Sequence, residues 1–249
     1  MVDLCLIVPH PDDEVFGTGG LIRRMTQHGK RVATVTLTRG GAGRTLDLCS
    51  REELPERREE ELVRSLATLG VPREDAYVFD YPDFVTASDR GMDPRAGLQG
   101  ADRDEIEARL VRLLDELRPR VVVTFPPNGG NGHPDHVVTN ALVLAALERM
   151  AEAPQELYYF ASERPYEGPV PPGFLNNDEI ARLHLPPTHY LELDREIEAK
   201  LRAMGQHETQ ARSVLMFMRR FARRLLTESF HRAVPAPTSE SVGDTVYWL

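Results

Sequence analysis

The chain has 249 residues, 41% of them hydrophobic and 28% charged, with a formal net charge of −9. Such a length suits one domain with a sizeable core, and the acidic balance argues against nucleic acid as the main partner. No apolar run approaches the roughly 20 residues that span a bilayer, so no membrane segment is expected.

Residues 4–8 read as a buried strand. The stretch Met1–Val8 lacks the basic region and cleavage site of a signal peptide, so a cytoplasmic location is expected. A helix follows over 16–28, ended by Gly29, and a β-branched strand over 31–38 that closes in Arg39-Gly40-Gly41-Ala42-Gly43. A helix over 54–69 stops at Gly70. A short strand at 76–79, a helix at 102–117 ended by Pro119, a strand at 120–125 and a Leu/Ala-rich helix at 135–151 come next. Short strands are expected at 157–161 and 190–193, and helices at 195–210 and 214–227. The proline-rich stretch 164–189 reads as irregular surface structure, a lid or an oligomer contact, and the tail from Pro235 as loosely structured, with Val246-Tyr247-Trp248-Leu249 able to dock.

Apolar strands alternating with amphipathic helices predict an α/β fold, Rossmann-like, with a mostly parallel sheet and helices on both faces. One domain spans 1–249, residues 1–150 forming its core and 151–249 packing on it. Ligands of such sheets bind beyond the carboxyl ends of the strands. Two cysteines make no metal pair and no disulfide framework; Cys5 is expected in the core and Cys49 in a loop.

Two short motifs occupy those strand ends. Pro9-His10-Pro11-Asp12-Asp13-Glu14 follows the first strand, and Gly132-His133-Pro134-Asp135-His136 follows the strand at 120–125. Histidine and aspartate are good zinc ligands, and a catalytic ion keeps a position open for water. His10 and Asp13 are close enough in a strand-to-helix turn to grip one ion, with His133 or His136 as third ligand. Asp12 and Asp135 remain as carboxylates that can take a proton from water, and the remaining histidine can stabilise an oxyanion or protonate a leaving amine. Either motif alone reads equally well as a turn, because Asp and Pro favour turns; two in register with strands make coincidence a poor account. Glu14 also suits a helix N-terminus. His28 reads as a helix C-terminal residue, and His184, His189 and His231 as surface or loop residues. Gly17-Thr18-Gly19-Gly20 is not the G-x-G-x-x-G of a dinucleotide fold.

With both motifs in full and in order, the sequence resembles the PIG-L/LmbE-like zinc-dependent N-acetylglucosaminyl deacetylases. Thr38–Gly43 is similar to the family's loop after the second strand, with Gly41 where Glu is common; Arg58-Glu59-Glu60-Glu61-Leu62 resembles its Arg-x-x-Glu-Leu helix; Lys200, Ala203, His207 and Gln210 match a further pattern. The resemblance implies His10, Asp13 and His136 as ligands of Zn2+, with Fe2+ or another divalent ion as substitutes. It implies Asp12 as the base for the attacking water, and His133 as oxyanion stabiliser or acid, with Asp135 orienting it or tuning its pKa. It also implies Arg58 on the sugar hydroxyls, against which stands a surface salt bridge to Glu59 or Glu61. His207 and Gln210, sharing a helix face, read as packing or an oligomer contact, ahead of substrate contact.

The expected activity is removal of acetyl from an N-acetylglucosamine conjugate, a small amino-sugar substrate, by a homo-oligomer. The stretch Arg51–Arg58 resembles the branch that deacetylates N-acetylglucosaminyl-malate in bacillithiol biosynthesis, for which Arg39, Arg44 or Arg51 would meet the malate. The alternatives are chitobiose, a mycothiol precursor or an antibiotic intermediate as substrate, or a metal- or sugar-binding protein without turnover.

Overall fold

The structure, a computed structural model, describes residues 1–86, 95–235 and 244–245. The first apolar run forms β1 (Val2–Val8), followed by α1 (Asp13–Gln27) and β2 (Val32–Thr38). Then come α2 (Leu54–Leu69) and β3 (Ala76–Tyr81). An antiparallel pair, β4 (Phe84–Val85) with β5 (Arg95–Ala96), precedes α3 (Arg103–Leu117), β6 (Pro119–Thr124), α4 (Pro134–Arg149) and β7 (Glu156–Phe160). The remainder supplies α5 (Asn177–Arg182), β8 (His189–Glu192), α6 (Ile197–Met204), α7 (Ala211–Arg220), β9 (Thr227–Val234) and β10 (Asp244–Thr245).

The main sheet runs β10-β8-β9-β7-β6-β1-β2-β3. Its pairs from β7 to β3 are all parallel, and β9 is antiparallel to both β7 and β8. The α/β architecture predicted above, mostly parallel with helices on both faces, is the one observed. Successive residues of β1 face opposite ways. Leu4, Leu6 and Val8 pack with Ile22, Leu62 and Leu66 of α1 and α2, while Cys5 and Ile7 pack with Leu110 and Leu142 of α3 and α4. Burial on both faces is why β1 is a continuous apolar run instead of an alternating one.

That division of helices fixes the site. The chain winds from β1 towards β2 across one face, and from β6 towards β7 across the other. The winding direction therefore reverses between β1 and β6, which are hydrogen-bonded neighbours with Cys5 opposite Val122. The crevice beyond the carboxyl ends of such a strand pair is where ligands of open α/β sheets sit. Both motifs leave these two strands.

Several expectations are corrected. The helix expected over 195–210 ends at Met204, and the one over 214–227 is α7, ending at Arg220. A 3-10 turn over Ala222–Leu225 stands at the expected helical end and β9 follows it; the inward residues of β9 are Glu228 and Phe230, so a buried carboxylate hides the alternation that marks a strand. The proline-rich stretch holds a helix, α5, set by a capping box between Asn176 and Glu179. His189 is buried in β8 and so is neither a surface nor a loop residue, while His231, partly exposed, lies in β9 and not in a loop. Cys5 is in the core as expected. Residues 246–249, assigned a docking role from sequence, lie outside the described residues. Among the described residues no helix is long and apolar enough to cross a membrane.

Candidate active site

The turn after β1 folds onto itself through short-range bonds. The His10 backbone N–H donates to Asp13 Oδ2 at 3.0 Å, and Asp12 adopts φ 118°, ψ −22°, at the start of α1. A positive φ at a non-glycine residue costs roughly 1–3 kcal/mol and persists only where surrounding contacts enforce it. The turn after β6 delivers His133 as the N-cap of α4, with Pro134, Asp135 and His136 in the first turn.

Across the crevice, His10 Nδ1 lies 3.3 Å from Asp13 Oδ2, and His136 Nε2 lies 3.7 Å from Asp13 Oδ1. Two donors each about 2.0–2.1 Å from one zinc at the tetrahedral angle would stand about 3.3–3.5 Å apart. The opposite ring nitrogens are already engaged. His10 Nε2 donates to Asp135 Oδ2 at 3.1 Å, and His136 Nδ1 donates to the Gly129 carbonyl at 3.0 Å. With those nitrogens so held, a ring that has given up its second proton would turn a lone pair towards Asp13, the arrangement a metal-binding histidine takes when an outer partner holds its other nitrogen. His10, His133 and Asp135 also approach one another, but they fit an ion less well. Both Asp135 oxygens are filled, Oδ2 by the Phe84 N–H (2.8 Å) and His10, Oδ1 by the Leu98 N–H (2.9 Å). The donor set His10, Asp13 and His136 thus fits one divalent cation, and its rings are braced: His136 is stacked between Phe125 and His133, centroids 3.9 and 4.7 Å away.

Asp12 is buried beside this set. Burial pushes its carboxyl up to about 6, opposed by the positive charge of Arg58 and reinforced by the negative charge of Asp13. Arg58 is 4% exposed. Its guanidinium reaches Asp12 Oδ1 at 3.3 Å and donates to the Pro11 and Gly40 carbonyls. The surface salt bridge to Glu59 or Glu61 is not formed: Glu59 pairs with Arg39 and Arg73, and Glu61 with Arg57 and Thr209. Gly40, at φ 71°, is held to glycine because a Cβ there would collide with the guanidinium.

His133 is not oriented by the Asp135 carboxylate. Its Nδ1 accepts from the Asp135 backbone N–H at 3.1 Å, while that carboxylate points to His10. A neutral His133 must then carry its proton on Nε2. Burial, followed by the positive character of His136 and His10, holds its pKa well below the ordinary histidine value, and the Asp135 charge opposes this, so Asp135 acts on the His133 pKa without orienting the ring through its carboxylate.

Two of the three basic residues offered for a malate are otherwise engaged. Arg39 pairs with Glu59 at 3.0 Å, and Arg51 donates to the Gly41 and Gly43 carbonyls. His207 and Gln210 do not share a helix face, because α6 has ended; His207 is fully buried and Gln210 donates to the Arg44 carbonyl at 2.9 Å. A cavity of about 850 Å³ opens beside Asp13 and His136, walled by Phe16, Phe125, Phe160 and Phe217. Sequence reasoning overlooked Phe84, Leu98 and Gly97 near Asp135. At Gly97 (φ 61°) a Cβ would collide with Asp135 Oδ1, and a glycine after the short β5 was the available signal.

The chain has relatives among known proteins. A deacetylase named for 1D-myo-inositol 2-acetamido-2-deoxy-alpha-D-glucopyranoside from Kineococcus radiotolerans is 39% identical over 160 residues, 55% of this chain and 44% of that protein. The matched part therefore spans less than half of that relative's length. A protein of the same name from Mycobacterium sp. (strain KMS) is 34% identical over 83% of this chain and 73% of its own length. Both names carry an inositol glycoside, so the N-acetylglucosaminyl-malate of the bacillithiol route has no counterpart in them. Among solved structures, N,N'-diacetylchitobiose deacetylase from Pyrococcus horikoshii superposes with TM-score 0.66 at 19% identity, covering 96% of this chain and 88% of that one. GalB, the 4-carboxy-2-hydroxymuconate hydratase of Pseudomonas putida KT2440, reaches 0.68 at 18% identity over 96% and 99%. The fold is thus shared by enzymes of different reactions, and it is the matched sequence that separates them. The family described as PIG-L: GlcNAc-PI de-N-acetylase matches residues 5–147, more than half of the chain and both motifs, and the chain belongs to it.

Proposed function

We propose that the chain is a divalent-metal-dependent N-deacetylase that hydrolyses the acetamide of an N-acetylglucosamine conjugate. The observation that carries this reading is the convergence of His10 Nδ1, Asp13 and His136 Nε2 on one point, with the buried carboxylate of Asp12 beside it. A cation held there supplies Lewis acidity, making water a nucleophile near neutral pH and polarising the acetamide carbonyl; zinc is the expected ion.

Asp12 takes the proton of the attacking water. Arg58 holds the Asp12 carboxylate in place and keeps it from rising further out of its working range. His133, with its proton on Nε2, donates a hydrogen bond to the oxygen that becomes negative as the carbonyl is attacked. Its depressed basicity suits a neutral donor, which favours oxyanion stabilisation over general acid. The C–N bond breaks, the amine leaves with the proton carried by Asp12, and acetate remains. Asp135 serves the centre through His10.

The glycoside most consistent with the relatives is an inositol one. Arg58, 4% exposed and committed to Asp12 and to the Pro11 and Gly40 carbonyls, is read as the partner of the base and not as the contact for the sugar hydroxyls that the resemblance implied. Replacing Asp12→Asn with metal content retained is expected to lower acetate release by about 100-fold or more. Undiminished release would remove Asp12 as the base.

A further inference from the structure

We propose that Glu14 and His207 are positioning residues that hold Asp12 in its reactive geometry, an inference that rests on the reading of Asp12 as the base.

Glu14 is fully buried directly behind Asp12. Its Oε2 accepts the Asp12 backbone N–H at 2.9 Å. Its Oε1 accepts the Ser65 hydroxyl at 2.7 Å and His207 Nε2 at 2.7 Å. The carboxylate is therefore tied at three points contributed by the β1–α1 turn, by α2 and by the segment after α6. Burial alone would raise its pKa, but the charge and hydrogen bond of His207, then Ser65 and the Asp12 N–H, outweigh it and hold Glu14 below the ordinary carboxylate value.

A simple helix N-terminal carboxylate needs none of this. Asp12 sits at φ 118°, in the region that favours glycine, and its own side chain caps nothing. The Glu14–Asp12 hydrogen bond ties the N–H of this backbone to a buried side chain, beside the Val15 N–H on the Asp12 carbonyl and the Arg58 guanidinium on the Pro11 carbonyl. With the backbone so held, the Asp12 carboxylate faces Arg58 and the metal donors. His207 completes the arrangement from 193 residues away in sequence. Its other ring nitrogen, Nδ1, is buried without a hydrogen-bond partner. A histidine kept for packing alone has no reason to strand that atom; aiming Nε2 at Glu14 supplies one. The C-terminal portion of the chain thereby reaches the reaction without touching substrate.

The test compares His207→Ala, His207→Gln and Glu14→Gln in two backgrounds, wild type and Asp12→Asn, with metal stoichiometry and melting temperature recorded. In the wild-type background, His207→Ala is expected to lower kcat about 10- to 100-fold with KM and metal content nearly unchanged, because misplacing a reacting group by about an ångström costs this much. The glutamine of His207→Gln can donate to Glu14 and is expected to restore most of the rate. Glu14→Gln is expected to lower kcat without loss of metal. In the Asp12→Asn background, His207→Ala is expected to leave the residual rate within about twofold, since two changes acting through one group do not multiply. An unchanged kcat in His207→Ala, or losses that multiply with Asp12→Asn, would overturn the proposal.

If Asp12→Asn itself leaves the rate untouched, the reading of the base fails, and the positioning claim is then decided by structure. Crystals of Glu14→Ala are expected to show Asp12 leaving its positive φ and its contact with Arg58. Retention of both would overturn it. Should His207→Ala fail to fold, Ser65→Ala removes a different donor to the same Glu14 oxygen and is expected to give a smaller loss in kcat with the same insensitivity to Asp12→Asn; an unchanged kcat there would count against the proposal.

Discussion

Asp135 directs its carboxylate to His10 and not to His133, its neighbour two positions earlier. Oδ2 lies 3.1 Å from His10 Nε2, while His133 receives only the Asp135 backbone N–H. A carboxylate on the outer nitrogen of a metal-binding histidine fixes the ring's tautomer and raises its basicity. Asp135→Asn is therefore expected to weaken metal binding about 10- to 100-fold, measured by competition with a chelating dye. Gly97→Ala is expected to act in the same direction, because its methyl group would push on Asp135 Oδ1. If Asp135→Asn binds metal normally and loses only rate, the carboxylate serves some other group.

The pairing of Arg58 with Asp12 makes a pH prediction. Burial raises Asp12 and the Arg58 charge lowers it. Removing that charge with Arg58→Met takes away the largest lowering influence and leaves only those of His207 and His10, so the Asp12 pKa climbs. A base must be deprotonated to act, so the acidic limb of the pH–rate profile is expected to move to higher pH. Movement to lower pH would contradict the assignment.

Much of this was legible in the sequence, and the limits are physical. The apolar runs marked β1, β2 and β6 because buried parallel strands leave no alternation to miss. The two motifs offered the candidate metal donors because each sits within a few residues of a strand end. What no local pattern shows is the direction of a side chain. Nothing in His133-Pro134-Asp135 says that the carboxylate turns towards His10, since that depends on Phe84 and Leu98 arriving from another loop. Arg58 reads as an exposed helix residue until the Gly40 turn folds over it. The Glu14–His207 contact joins distant parts of the chain, and the helix expected over 195–210 obscured it by placing His207 and Gln210 on one face.

The anchoring of the C-terminal portion gives a stability prediction. Lys200 Nζ and Glu228 Oε1 form a 2.8 Å pair with side chains 1% and 0% exposed. Glu228 also accepts from the Gly20 and Leu21 backbone N–H groups of α1. Lys200→Met leaves a buried carboxylate without its counter-charge and is expected to cost about 3–5 kcal/mol of unfolding free energy, read by chemical denaturation. A loss below about 1 kcal/mol would mean that the backbone donors suffice for Glu228.

The two thiols should behave differently. Burial pushes the Cys5 thiol up to about 12, while Cys49 is only partly buried. At about pH 8 a thiol reagent is expected to modify Cys49 alone in the folded protein and both residues after denaturation. An unfolded thiol releases its proton near pH 8.5. Cys5 therefore holds its proton longer in the folded state, and its linkage lowers stability as pH rises from about 8.5 towards 12. Equal labelling of both in the folded protein would contradict the buried position of β1.

Acetate release from an N-acetylglucosaminyl inositol conjugate, before and after chelation, tests the central claim most directly. Acetate and free amine are expected in equal amounts, with activity lost on chelation and restored by a stoichiometric divalent cation. Hydrolysis that survives complete metal removal, or cation-loaded protein that releases no acetate from any N-acetylglucosamine conjugate, would contradict the account.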